Sequence, residues 1–130
     1  RRTTHWRGSW LRAPDKALQD PTRAVELVQK AVELEPHAAY AWNTLGVVGY
    51  RAGNYRPSIE ALEKAEQSSP DEYFGINALF LAMAHWQLDE KEPARKWYDQ
   101  AIAWMELHTK VDEELIRFRD EATALINERP

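Results

Sequence analysis

The sequence overlays on itself at a displacement of 34 residues. Setting the stretch that ends at Pro36 over the one that ends at Pro70 pairs Ala24 with Ser58, Val25 with Ile59, Glu26 with Glu60, Val28 with Leu62, Lys30 with Lys64 and Ala31 with Ala65. A second overlay, at 36, carries Leu45 to Leu81, Gly46 to Ala82, Pro57 to Pro93, Ser58 to Ala94, Leu62 to Tyr98 and Ala65 to Ala101, which predicts a middle turn two residues longer. A period of this size holds one small unit that cannot bury an apolar face alone. Neighbouring units must therefore stack into a continuous core.

Each unit reads as two helices. Asp20 supplies a helix cap and Pro21 fits the first helical position, where its missing N–H is harmless. Ala24, Leu27, Val28, Ala31 and Val32 then recur at helical spacing until Glu35-Pro36 ends the run. Further helices are predicted over about 38–52, with Gly53 as the stop, and over 55–67, capped by Asn54 with Pro57 in the first turn. Others follow from 71 or 72 to 88, over 91–107, and over 112–127, where Leu115, Phe118, Ala122 and Leu125 share a stripe. No run alternates β-branched and polar residues, so no strand is expected. The stretch "TTHWRGSWLRA" allows a short helix with Trp6 and Trp10 one turn apart, weakened by Gly8 by about 1 kcal/mol.

The stretch "AWNTLGVVGYRAGNY" shows the stacking demand most directly. Trp42, Leu45, Gly46 and Gly49 form one apolar face, expected to meet the second helix of the same unit. Tyr40, Val47 and Tyr50 form another. A lone surface helix needs only one such face.

Residues 39–72 carry the order Trp42, Leu45, Gly46, then Gly53, Tyr55, Ala65 and Pro70. This resembles the tetratricopeptide repeat, whose pattern is W-x2-L-G-x2-Y, then A-x3-F, then P. Gly49 and Ser58 stand where that family has tyrosine and alanine. The unit over 75–108 keeps Leu81, Ala82, Ala94, Tyr98 and Ala101, has Ala78 in place of the tryptophan and Asp89 in place of the turn glycine. The resemblance implies an all-α fold, an α-α superhelix of two to three repeats with a C-terminal capping helix. One domain is expected over 1–130. Residues 1–20 stay undetermined, 21–38 supply the second helix of a first repeat, 39–72 and 75–108 form two repeats, and 110–128 cap the stack. The stretches "WNTLGVVGYRAGNY", "LAMAHWQL" and "ARKWYDQAIAWM" are also similar to repeat tails of large bacterial proteins that carry a serine/threonine kinase or a WD-repeat region. The chain starts without methionine, and is expected to belong to something longer.

Composition removes several function classes. The chain has no cysteine, which excludes disulfides, thiolate nucleophiles and cysteine-zinc sites. That is compatible with a reducing compartment, and a cytoplasmic setting is expected. A formal charge of −4 argues against a nucleic-acid or anionic-membrane partner. Apolar runs are too short for a transmembrane helix, and Arg1-Arg2 leads into no signal-peptide core. No pair among His5, His37, His85 and His108 has metal-ligand spacing on one helix, and no nucleophile elbow, phosphate loop or dinucleotide fingerprint occurs. His85 reads as a packed, hydrogen-bonded histidine. Asp112, Glu113 and Glu114 oppose a helix dipole rather than forming a catalytic pair. No catalytic residue, metal or cofactor is expected.

The resemblance implies that the first helix of each repeat lines an inner groove. Carried onto this chain, the groove positions are Tyr40, Asn43, Val47, Tyr50 and Arg51 in one repeat. In the next they are Ile76, Leu79, Met83, Trp86 and Gln87. Mostly apolar, and including methionine and aromatics, they suit a peptide or amphipathic helix. Leu79, Phe80 and Met83 stand where a carboxylate-clamping subtype would carry charge, which disfavours that subtype. The expected function is non-catalytic protein binding in this groove. The alternative is a spacer or homodimerisation unit, with the groove covered by the chain itself or by a second copy.

Overall fold

The computed structural model of the chain describes residues 20–108 and 112–127. These form six helices: α1 Pro21–Leu34, α2 Ala39–Arg51, α3 Tyr55–Ser68, α4 Phe74–Gln87, α5 Lys91–Leu107 and α6 Glu113–Ile126. No strand occurs among the described residues. The stretch around Trp6 and Trp10 lies outside them.

The punctuation acts largely as read. The Asp20 carboxylate accepts from the Arg23 N–H at 3.3 Å, with Pro21 in the first turn. Asn54 occupies the cap position of α3, but its side chain makes no capping hydrogen bond. Gly53 takes φ +84, the left-handed conformation that closes a helix without steric cost. Its counterpart Asp89 takes φ +63, so the turn survives the loss of glycine because a short polar side chain tolerates this region. The two-residue insertion is divided. The connection before α4 spans 69–73, against 35–38 before α2, and α4 has 14 residues against 13 in α2. The α4 start therefore falls two to three residues later than expected, after Asp71 turns the chain at φ +76.

The helices form two layers. α2 and α4 form an inner layer, while α1 and α3 flank them from outside, α5 backs α4 and α6 lies on α4. Small residues permit the close approach. A Cβ on Gly46 would overlap Leu62 Cγ and Cδ2, and the Gly46 carbonyl accepts a 2.7 Å bond from the Ser58 hydroxyl. Leu45 departs from the expected pairing. With Val48 it packs on α1, against Ala24, Val25 and Val28, whereas Gly46 and Gly49 face α3. One helical turn presents residues one apart to different neighbours, so Leu45 serves the preceding repeat and Gly46 its own.

α4 lies in the middle of the stack. Every residue from Gly75 to Ala84 except Ile76 is buried. Its sequence, apolar nearly all round, is what a helix walled by α2, α3, α5 and α6 requires. A chain of rings crosses this centre. Tyr55 lies 5.4 Å from Tyr50, Tyr50 5.6 Å from Phe80, and Phe80 4.9 Å from Phe118 of α6, the last two edge to face. Such geometry adds about 0.5–1.5 kcal/mol per pair beyond burial.

Candidate partner-binding face

The groove positions divide into a sealed middle and two accessible ends. Asn43, Val47, Tyr50, Leu79 and Met83 are buried, Leu79 and Met83 completely. Tyr40 and Ile76, near the starts of α2 and α4, are half-buried. At the other end Arg51 and Trp86 are half-buried and Gln87 is exposed. Leu79 and Met83 therefore present no surface here, and substitution there probes the core. α6 is one of the walls here, its Phe118 edge to face with Phe80 at 4.9 Å. Leu115, Phe118 and Ala122 belong to the same buried cluster as Val47, Tyr50, Leu79 and Met83.

α6 does not occupy the place of a next-repeat first helix. α4 packs more heavily on α3, the second helix before it, than on α2. α6 reverses this, packing chiefly on α4 and only lightly on α5. It has moved inward across the first-helix layer, far enough to reach α2. There Arg51 meets Glu121 through two bonds, 2.5 and 3.0 Å, with its guanidinium 5.3 Å from the Phe80 ring centre. At its other end Leu115 and Trp104 cover Gly75, so α6 runs in the same sense as α4. Tyr98 and Thr123 share a 2.7 Å hydrogen bond that ties α6 to α5.

Polar contacts complete the site. Asn43 donates to Asn77 at 2.8 Å in the interior, and Asn77 donates to Glu66 at 2.9 Å. This relay between two repeats was not expected from either residue, although their separation by one period was a readable signal. Gln87 donates to the Tyr50 hydroxyl at 3.1 Å. Burial raises the Tyr50 pKa, partly offset by that bond, so the phenol stays protonated at neutral pH. Lys91 sits 3.5 Å above the Trp86 ring.

A second cross-repeat link lies at the turn after α4. Glu90 takes a 2.5 Å bond from Arg56 and lies 2.7 Å from His85 Nδ1, so His85 is packed and hydrogen-bonded as read. Arg56 and then His85 hold the Glu90 carboxyl below its usual pKa. A depressed carboxylate adds stability above its ordinary value, and that stability is lost as pH falls from about 4.5 through the folded value. Acid melts should accordingly show a shallower drop in Tm for Glu90→Gln than for the parent chain, with the two curves parallel above pH 5. The difference should shrink in high salt, since the pair is exposed.

This is a stack of helix pairs with a period of 34 and a small-residue seam, which defines a helical-repeat protein. Two tetratricopeptide-repeat family models match it, one over residues 16–73 and one over residues 78–104. The chain belongs to the tetratricopeptide-repeat family, a non-catalytic repeat that generally mediates protein–protein interaction. No curated protein matches the chain. Among the described residues, no helix is long and apolar enough to cross a membrane, and no group of three metal-ligating side chains converges.

Proposed function

We propose that this chain is a protein-interaction module whose inner face, formed by α2 and α4, receives a helical segment. The observation that carries this reading is the position of α6. An amphipathic helix has left the stacking position and lies on the first-helix layer, so the face accepts a helix of that kind. The ends left accessible, Tyr40 with Ile76 and Trp86 with Gln87, would extend the contact beyond what α6 covers. A rigid, preformed stack loses little entropy on binding.

Panning a library of helical peptides on the full chain tests this. Selected peptides should bind about tenfold more weakly to Trp86→Ala, a loss near 1.4 kcal/mol, and equally well to Lys30→Ala on the exposed side of α1. Peptides that ignore Trp86 and Gln87 would place recognition elsewhere. The second reading, a spacer or self-associating unit, is favoured by the burial of Leu79 and Met83. It predicts no selected peptide, and either a monomer or a concentration-dependent dimer in sedimentation.

A further inference from the structure

α6 reports what the inner face recognises, because it is itself a bound amphipathic helix. Its buried side chains are Leu115, Phe118, Ala122 and Ile126, with Glu121 turned to Arg51. Phe118 and Glu121 are three residues apart, hence neighbours on one helical face. One supplies an edge to the Phe80 ring and the other a carboxylate to the guanidinium above that same ring. The next residue, Ala122, is completely buried, so only a small side chain fits there. The opposite side of α6 faces water: Glu113, Arg117, Asp120 and Ala124 are exposed. Among the described residues α6 is held from one side, with light contact to α5.

We infer that the partner is an acidic amphipathic helix carrying an aromatic residue, a carboxylate three residues later and a small residue next to it. It competes with α6 for the α2–α4 face, and α6 is the latch that such a helix displaces. This rests on the inner-face reading above and gives it a partner chemistry and a regulation. Tethering keeps α6 seated at high effective concentration, so a competitor with the same contacts binds the closed chain weakly and the released chain well.

The probe is a fluorescent peptide of residues 112–127, added to the full chain and read by anisotropy. Uptake should be at least about tenfold tighter for Glu121→Ala, whose own helix has lost its Arg51 contact, than for the parent chain. Adding Arg51→Glu to that chain should abolish uptake of the parent peptide and admit a peptide carrying Glu121→Arg. Phe118→Ala is the second variant. Far-ultraviolet circular dichroism confirms that each keeps its helices, and hydrogen exchange confirms that α6 is released. Equal uptake by parent and released chains, or uptake indifferent to the charge swap, overturns the inference. So does a released chain that instead dimerises by exchanging α6. If panned peptides bind through Trp86 while the 112–127 peptide does not, the inference fails and the inner-face reading stands. If neither binds, both fail.

Discussion

Leu79→Arg leaves the chain without a cooperative melting transition. Leu79 is fully buried near the middle of α4, the helix walled on every side by its neighbours. An unpaired charge there forfeits several kcal/mol of hydration, and the longer side chain has no cavity to enter. A chain of this size has about 5–15 kcal/mol in total, so the loss removes most or all of it. Met83→Glu, one turn further and equally buried, should behave alike, with folding partly recovered at acid pH where the carboxyl is neutral. Gln87→Arg lies on the same stripe one more turn along, is exposed, and should cost only about 0.5–1.5 kcal/mol, through the hydrogen bond it gives the Tyr50 hydroxyl. Thermal melts by circular dichroism separate the three. A parent-like melt for Leu79→Arg would mean that position 79 faces water and α6 is not seated on α4.

That contrast marks where the sequence stops being informative. Period, small-residue seam and turn residues are local properties, and they predicted the helices closely: α5 begins and ends where the pattern places it, at Lys91 and Leu107. The fit loosened where local rules compete, as at Asp71, whose left-handed turn delays α4. The groove positions are different in kind. Leu79 and Gln87 share a helical stripe, and the all-round apolar run of α4 fits burial of its middle without saying which helix covers it. The answer depends on where α6 lies, and its amphipathic pattern fits a cap stacked on α5 as well as one lying inward on α4. Arg51 and Glu121, 70 residues apart, decide between these and follow no repeat spacing. Asn43 and Asn77 by contrast stand one period apart and were open to such a reading.

Phe80→Ala tests how the stack and its last helix are joined. Phe80 is completely buried, and removing a ring from such a site costs about 3–5 kcal/mol through lost transfer energy and the cavity that remains. The loss should not be uniform. Phe80 is the ring between Tyr50 of α2 and Phe118 of α6, and it lies under the Arg51 guanidinium that holds Glu121. Without it, α6 loses its aromatic partner and the surface that orients its ion pair, while Gly46, Leu62 and Ser58 still join α2 to α3. Hydrogen exchange should therefore show amides of α6 opening first, with α2 and α3 protected to nearly the stability of the whole. A cycle with Phe118→Ala sharpens this. The double variant should be less destabilised than the two single losses predict together, by about 0.5–1.5 kcal/mol, because the edge-to-face contact is counted in both. Strict additivity would mean that the rings do not share their energy, and that α6 is held by Arg51 and the aliphatic residues alone.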